Sequence, residues 1–301
     1  MATVTDSLPA APGPGWVTLA EIGQQETYNR GLTTITTGYA VLDRVLGGGF
    51  RPQSVYPVAG RTGSAKSTFA LNVARRIALA GHSVLFFKCE ESVLEAVYRL
   101  HAGASQVRLR VLLDGAENAG QGDQQRLTDG WGIIRELPIR FSDCRGIDAI
   151  ERISGAHVQA GGEIIIIDQL SMVEVPDTGI GYERATAVSN RLRLLARDLS
   201  VPIVLVCQVN RPASKDKGHL SCHDLRDSGA IENDAAAVLL IDSVRATDGP
   251  QYAGCDPMLY LQIIVGKNRY GPCTDPEKPL ELLWHPTICR IEDTDLGGGA
   301  A

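Results

Sequence analysis

Two patterns of apolar residues alternate along this chain, and together they predict its class of fold. Continuous apolar runs, typical of parallel strands covered on both faces, lie at residues 83–87, 163–168 and 201–208. Apolar residues fall on one helical face at residues 67–80, 147–160 and 182–199. Strands and amphipathic helices in alternation predict an α/β domain with a mostly parallel, twisted sheet flanked by helices.

The same patterns divide the chain into one large domain and its ends. Residues 1–15 combine several prolines with alanine and glycine and predict a flexible tail. We expect a short linker helix at 16–30, the domain itself at 31–293 and a second flexible tail at 294–301. Within the domain, residues 115–132 are rich in Gly, Gln and Asp and predict a mobile connection.

Composition indicates the class of protein and the compartment in which it is expected. The chain has 301 residues, 44% of them hydrophobic and 21% charged, which is typical of a soluble globular domain. No apolar run approaches the roughly 18 residues of a membrane span, and no signal pattern opens the sequence. The seven cysteines are scattered, and His219, Cys222 and His223 lack a fourth zinc ligand. We therefore expect a cytoplasmic protein with free thiols and no membrane contact.

The balance of charge restricts how the chain can meet nucleic acid. Lys and Arg number 29 against 35 Asp and Glu, which gives a formal net charge of −6. Phosphate contacts dominate the affinity of proteins for duplex DNA, so this balance argues against a broadly basic binding surface. Any nucleic-acid contact is expected to be local, for example in a loop that assembly concentrates around a channel.

The chemistry of the chain centres on residues 55–69. An apolar strand ends at Gly60, a turn of small residues follows, and Lys66-Ser67-Thr68 opens a helical pattern, which is the order of a P-loop. In a P-loop the backbone N–H groups bind phosphate, the lysine reaches the β- and γ-phosphates, and the next hydroxyl holds Mg²⁺. The expected nucleotide-binding residues are Gly60, Arg61, Thr62, Gly63, Ser64, Ala65, Lys66, Ser67 and Thr68.

One position departs from the usual P-loop, because Ala65 stands where glycine is expected. The methyl group crowds the closest approach of the backbone to phosphate. Two alternatives therefore stay open, a site that binds nucleotide without hydrolysing it and a glycine-rich turn that binds nothing. The Ala-Lys-Ser ending resembles the P-loop of MCM helicases, which are working ATPases.

Acidic residues follow two of the buried runs. Asp168 ends a run of four isoleucines, where a Walker-B carboxylate holds Mg²⁺ through water, so Ser67 and Asp168 are the expected metal ligands. Glu90 and Glu91 follow the run at 83–87, and ligands bind outside the carboxyl ends of such strands. An acid at this strand end is expected to face the nucleotide, Glu90 and Glu91 are the two candidates, and a solvated strand end is the alternative to both.

Two further stretches resemble a known family. Thr-Thr-Gly-Tyr at 36–39, Leu42-Asp43 and the P-loop together resemble the C-terminal motor domain of DnaB-type replicative helicases, within the RecA-like ATPase superfamily. Residues 224–234, Asp-Leu-Arg-Asp-Ser-Gly-Ala-Ile-Glu-Asn-Asp, are almost identical to a stretch of these helicases. The resemblance covers residues 31–293 and implies a RecA-like P-loop ATPase core. Residues 42–49 are equally similar to RadA and KaiC relatives.

The resemblance implies four catalytic residues. Glu90 aligns with the glutamate that positions the attacking water, and Gln208 aligns with the glutamine that senses the γ-phosphate. Lys267 and Arg269 match a pair that reaches the γ-phosphate of a neighbouring subunit, which makes hydrolysis depend on assembly. The alternatives are a buried amide bonded to backbone for Gln208 and a solvated basic turn for the two cations.

The resemblance also implies a contact with DNA. Arg226, Asp227, Ser228 and Gly229 match a loop that faces the central channel of a ring and touches single-stranded DNA. A small turn with one arginine suits tracking of the DNA backbone without base reading. An ordinary charged helix cap is the alternative.

The function that the resemblance implies is a DNA helicase driven by ATP and Mg²⁺. Its implied partners are single-stranded DNA, further copies of the chain in a hexameric ring, and a primase, loader or other replication protein. The resemblance does not include the helical N-terminal domain with which full-length members contact primase, and Gln169 stands where the family usually has an aromatic residue. The alternatives are a RadA- or recombinase-like factor, whose zinc finger is missing here, and a KaiC-like scaffold that oligomerises on nucleotide.

Overall fold

A computed structural model describes Leu19 and residues 33–179, 181–209, 220–222, 224–225, 229–245 and 259–294. The predicted tails and linker helix fall outside these ranges apart from Leu19 and Thr294. So do Arg226, Asp227, Ser228, His219 and His223. Within the described ranges, no helix is both long and apolar enough to cross a bilayer.

The strands belong to one sheet. In chain order they are β1 (Val55–Gly60), β2 (Val84–Lys88), β3 (Ile139–Ser142), β4 (Ile164–Asp168), β5 (Ile203–Gln208), β6 (Ala237–Arg245), β7 (Leu259–Asn268), β8 (Leu280–His285) and β9 (Arg290–Asp293). Across the described sheet their order is β3-β2-β4-β5-β1-β6-β7-β8-β9. Neighbours from β3 to β6 are parallel, and β7, β8 and β9 are antiparallel to theirs.

Helices lie between the strands and cover the sheet. They are α1 (Ala40–Leu46), α2 (Lys66–Leu79), α3 (Val93–Ser105), α4 (Leu109–Leu113), α5 (Gln121–Ile134), α6 (Ile147–Gln159), α7 (Tyr182–Leu199) and α8 (Gly229–Asp234). Short 3₁₀ turns lie at Ala116–Asn118, Leu170–Met172 and Pro286–Ile288. The predicted α/β class, a mostly parallel sheet flanked by helices, is confirmed.

The sheet is buried on both faces, as its continuous apolar runs predict. Alternate residues of the central strands, such as Phe86, Ile166 and Val206, join one core cluster that contains the apolar face of α2. Their neighbours, such as Leu85 and Ile165, join a second cluster with α6 and α7. Every residue of β4 is buried, because successive side chains point to opposite faces and both faces are covered.

The register of the strands shows which strand ends lie together along each of the two edges of the sheet at which strands begin and end. Gly60 pairs with Gln208, and Lys88 pairs with Asp168, so the carboxyl ends of β1, β2, β4 and β5 meet at one edge. Strand β7 runs against β6, and its residue Asn268 pairs with the first residue of β6. The carboxyl end of β7 therefore lies at the opposite edge from the P-loop.

The prediction of a mobile connection at residues 115–132 is wrong, because α5 occupies most of it. Gly122, Gly130 and Gly132 lower the helix propensity of this segment and conceal the helix in the sequence. Gly130 is the point where α5 packs closely on α3, since a Cβ there would lie 2.7 Å from the backbone nitrogen of Ser105. Tertiary packing thus decides the structure of this segment.

Candidate nucleotide-binding site

Strand β1 brings the P-loop to the carboxyl edge of the sheet. All six residues of β1 are buried, and the strand ends at Gly60. A Cβ on Gly60 would lie 2.4 Å from the carbonyl oxygen of Ile241 and 2.5 Å from Oγ of Ser64. Glycine is therefore required here by packing. The Ser64 hydroxyl is buried with no hydrogen-bond partner among the described residues, so it is free to donate to a ligand.

The middle of the loop is held by its neighbours. Arg61 forms an ion pair with Asp242 on β6, with 3.2 Å between Nη1 and Oδ2. The Thr62 hydroxyl accepts a hydrogen bond of 2.8 Å from the side-chain amide of Gln208. Gly63 has a φ of 80°, a conformation that favours glycine. These contacts hold Arg61 and Thr62 at the start of the turn.

Ala65 directly precedes α2 and adopts the left-handed conformation, with φ 65° and ψ 18°. This conformation costs a residue with a side chain about 1–2 kcal/mol. Glycine is thus expected at this position because of backbone conformation as well as the predicted crowding. Within the described residues no side chain caps α2, and its first turn has no acidic residue. Its N–H groups are therefore available to an anion.

Lys66 lies in the first turn of α2 and is only 8% exposed. Its Nζ donates a hydrogen bond of 2.6 Å to the carbonyl oxygen of Arg61, so the ammonium group lies over the loop. Burial lowers the pKa of Lys66 below its usual value, while the charges of Asp168 and Glu90 act in the opposite direction. The lysine is therefore within electrostatic reach of both acids.

Ser67 and Asp168 come together across the sheet edge. The Ser67 hydroxyl donates a hydrogen bond of 3.1 Å to Oδ1 of Asp168, and the Asp168 side chain is fully buried. Hydroxyl and carboxylate oxygens are the hard ligands that Mg²⁺ prefers. With the uncapped start of α2 and the free Ser64 hydroxyl, this pair fits a nucleoside triphosphate and its metal.

The two glutamates after β2 have different surroundings. Oε1 of Glu91 accepts a hydrogen bond of 2.8 Å from Arg99, and its Oε2 lies 3.2 Å from Nζ of Lys88. Burial would raise the pKa of Glu91, but Lys88 and Arg99 outweigh it and hold that pKa below its usual value. Glu90 is exposed and forms no ion pair within the described residues. Glu90 is thus the glutamate left available to a ligand.

Gln208 ends β5 beside the P-loop. It is exposed, and its amide donates to the side chain of Thr62. A buried amide satisfied by backbone, the alternative open from sequence, is therefore not what the structure shows.

Lys267 and Arg269 do not approach the P-loop of their own chain. Lys267 donates to the carbonyl oxygens of Glu232 and Asn233, the latter at 3.2 Å, and Arg269 also donates to Asn233. Both cations thus contact the end of α8, at the opposite edge of the sheet. Burial and the charge of Arg269 lower the pKa of Lys267.

Lys88 is the residue at this site that sequence reasoning missed. Its side chain is fully buried, and its Nζ lies 2.5 Å from Oδ2 of Asp168, which is equally buried. A signal was present, because a lysine at the end of a strand covered on both faces requires a buried acid as partner. Only the register between β2 and β4 shows that the partner is Asp168.

Comparisons with known proteins show the family to which the chain is related. The family model of the DnaB-like helicase C terminal domain matches residues 34–293. The replicative DNA helicase DnaB of Treponema pallidum is 30% identical over 265 residues, which are 86% of this chain and 57% of the relative. The DnaB of Leifsonia xyli is 29% identical over 286 residues, which are 92% of this chain and 60% of the relative. The chain thus spans less than two thirds of these relatives.

Solved structures show the same fold. A separately solved ATPase domain has a TM-score of 0.76 and 21% identity, over 92% of this chain and 95% of that one. A DnaB-like replicative helicase, described with its interactions with primase, has a TM-score of 0.74 and 21% identity, over 92% and 66%. The predicted RecA-like core is confirmed, and neither the RadA-like nor the KaiC-like alternative is favoured. The chain therefore belongs to the family of DnaB-like helicase C-terminal domains.

Proposed function

We propose that this chain is the motor of a ring-forming, six-membered assembly that hydrolyses ATP with Mg²⁺, moves along single-stranded DNA and separates strands. One observation carries the proposal. The phosphate-binding loop lies at one edge of the sheet, whereas Lys267 and Arg269 lie at the other. A neighbouring copy is therefore needed to bring these cations to a bound nucleotide, as a head-to-tail ring does.

Each described residue at the P-loop edge has a defined part in this proposal. The N–H groups of α2 and the ammonium of Lys66 bind the β- and γ-phosphates, and Ser67 and Asp168 hold the metal. The metal neutralises charge that develops on the transferred phosphoryl group. Glu90 orients the attacking water, and Gln208 senses the γ-phosphate through its place beside Thr62.

Arg61, Thr62, Gly63, Ser64, Ala65 and Thr68 complete the cradle around the phosphates. Ala65 keeps the left-handed conformation that glycine usually takes here, so the loop retains its path. The methyl group adds strain to the backbone at this position. We therefore favour a hydrolysing site over one that only binds nucleotide.

Helix α8 provides a physical link from hydrolysis to DNA. The proposed DNA loop, Arg226 to Gly229, leads directly into α8, which begins at Gly229. At the other end of α8, the carbonyl oxygens of Glu232 and Asn233 accept hydrogen bonds from Lys267 and Arg269. A shift of the two cations toward a neighbour's nucleotide would break these bonds and move α8 with the loop. Only Ala230 and Ile231 separate the end of the proposed DNA loop, Gly229, from the carbonyl oxygen of Glu232.

The names of similar proteins support the same substrate. The curated relatives are replicative DNA helicases, and one structural relative is described with primase. We propose single-stranded DNA as the track and a primase or a loader as partners of the assembled protein. We also propose that the protein acts in the cytoplasm, where the replication proteins of bacteria act.

The test is the rate of ATP hydrolysis with and without a single-stranded oligonucleotide. Wild-type protein is expected to hydrolyse faster with the oligonucleotide, and Lys66→Ala is expected to lose turnover in both conditions. Arg226→Ala is expected to lose the stimulation. Arg152→Ala, which removes an exposed arginine of α6, is the matched control and should keep it. Absence of any stimulation in wild-type protein would remove the DNA track from the proposal.

A further inference from the structure

Lys88 occupies a place in the nucleotide-binding site that no part of the proposed function uses. It ends β2, a strand whose five residues are all buried. Its Nζ contacts two acids, Oδ2 of Asp168 at 2.5 Å and Oε2 of Glu91 at 3.2 Å. A lysine with no exposed side-chain surface is rare, and it is stable only when its charge is paired.

The two oxygens of Asp168 are thereby divided between different partners. Oδ1 accepts the hydroxyl of Ser67, on the side where the proposed metal lies, and Oδ2 is bound by Lys88. The ammonium group fixes the rotation of the carboxylate and keeps Oδ1 toward the metal side. It also cancels the negative charge of the only carboxylate that we assign to the metal.

Glu91 extends the ion pair of Lys88 and Asp168 into a chain of charges that leads away from the proposed nucleotide. Glu91 contacts Lys88 with one oxygen and Arg99 of α3 with the other, at 2.8 Å. Oε2 of Glu91, the oxygen that faces Lys88, is buried and shares part of the Lys88 charge, although the Glu91 side chain as a whole is one-third exposed. The net charge of Asp168, Lys88 and Glu91 together is −1, and Arg99 balances it. The metal side of the site thus carries little negative charge of its own.

We propose that Lys88 is a positioning residue that makes the site take up metal together with nucleotide, and not the free divalent cation. A bare carboxylate attracts Mg²⁺ by its charge, and Lys88 removes that attraction while it keeps the oxygen in place. The phosphates of the nucleotide then supply the missing negative charge. This inference rests on the proposed nucleotide site.

The test measures Mn²⁺ binding, in place of Mg²⁺, by the electron paramagnetic resonance signal of the free ion. With ADP present, wild-type protein is expected to lower the free Mn²⁺ signal below the signal given by ADP alone, and without nucleotide it is expected to leave the ion free. Lys88→Met removes the charge at similar size, and it should bind Mn²⁺ without nucleotide about tenfold or more tightly than wild-type protein does. Lys88→Arg keeps the charge and should behave as wild type.

Glu91→Gln is a second variant, and it is expected to weaken Mn²⁺ binding, whereas Lys88→Met is expected to strengthen it. It leaves the pair of Lys88 and Asp168 intact and removes the acid that shares the Lys88 charge. Mn²⁺ in the presence of ADP should therefore bind about threefold more weakly than to wild-type protein. Because Glu91 is partly exposed, this variant is expected to fold even where Lys88→Met does not.

The outcomes separate the inference from the proposed function. Fluorescent ADP is first titrated onto wild-type protein with Mg²⁺ present, and absence of binding would overturn the nucleotide site itself. If ADP binds, unchanged Mn²⁺ affinity in folded Lys88→Met or in Glu91→Gln would overturn only the part assigned to Lys88. Wild-type protein that binds Mn²⁺ equally well without ADP would do the same.

Discussion

Gly60 lies so close to Ile241 that a Cβ on the glycine would be 2.4 Å from the Ile241 carbonyl oxygen. The two residues are paired between β1 and β6, so neither backbone can move without breaking the sheet. We predict that Gly60→Ala lowers the free energy of unfolding by about 1–3 kcal/mol, since overpacking of a dense interior costs that much. Urea denaturation followed by circular dichroism measures the change.

Gly155→Ala is the matched control for this substitution. Gly155 lies in α6, and a Cβ there would meet no atom within 4 Å. Alanine in an open helical position should raise the free energy of unfolding by about 0.5–1 kcal/mol. Equal losses in both variants would show that the contact with Ile241 is not what requires glycine at position 60.

Ala65→Gly should make the P-loop more stable and better at binding nucleotide. Glycine removes the cost of the left-handed conformation, about 1–2 kcal/mol, although part of the gain is offset by the greater entropy of the unfolded chain. We expect a small rise in the free energy of unfolding and tighter binding of fluorescent ADP.

Gln106→Gly controls for the backbone effect alone. Gln106 is exposed, has a φ of 56° and ends α3 away from the P-loop. Its replacement should give a comparable rise in stability with no change in ADP binding. Tighter ADP binding in this variant as well would mean that the gain at Ala65 is not local.

Stability should fall on mild acidification because of His157. This histidine is buried, and its Nδ1 lies 2.9 Å from the guanidinium of Arg140. Burial lowers its pKa, and the charge of Arg140 acts in the same direction. The unfolded chain therefore binds the proton more readily, so the folded state loses stability as pH falls through about 6.5, the ordinary value.

His157→Asn tests this assignment. Asparagine keeps a short acceptor for Arg140 and does not titrate. The variant is expected to be less stable at every pH because the ring is lost, and to show a weaker decline between pH 7.5 and 5.5. Urea denaturation across this range measures the slope, and an unchanged slope would assign the pH dependence to another group.

Two inactive variants should restore each other if nucleotide lies between copies. Lys66→Ala removes the phosphate-binding lysine, and Arg269→Ala removes the cation that a neighbour contributes, at a cost of about a thousandfold in turnover. In an equal mixture that assembles at random, about one quarter of the contacts combine an intact Lys66 with an intact Arg269. ATPase activity after mixing should rise well above either variant alone.

In the control for this mixing experiment, both proteins lack Arg269. A mixture of the Arg269→Ala protein with the double variant Lys66→Ala, Arg269→Ala contains no intact contact and should stay inactive. Recovery there would contradict the assignment of Arg269 to a neighbour's nucleotide. Failure of the first mixture to recover, with assembly shown by light scattering, would contradict it equally.

Much of the fold follows from the sequence because its signals are strong and local. The isoleucines at 164–167 predict a strand buried on both faces, and β4 is such a strand. The local sequence pattern does not predict helix α5, because its three glycines lower the helix propensity and its stability comes from contact with α3. Packing partners distant in sequence are not visible in a local pattern.

The candidate site shows the same division. The sequence alone identifies the P-loop and Asp168 as site residues, since their order along the chain is distinctive. The pairing of Lys88 with Asp168 depends on strand register, and the position of Arg269 depends on the direction of β7. Sequence alone specifies neither of these. The roles of the individual site residues stay predictions that the experiments above address.

The reversal of chain direction at β7 has a consequence for how copies of the protein can associate. Under the proposed function, a contact related by a two-fold axis would join like edges and bring no Arg269 to a neighbour's nucleotide. A contact that joins unlike edges is heterologous, and it continues until it closes on itself or grows into an open filament. Closure therefore depends on the rotation between successive copies. Small changes at this contact would convert closed particles into fibres.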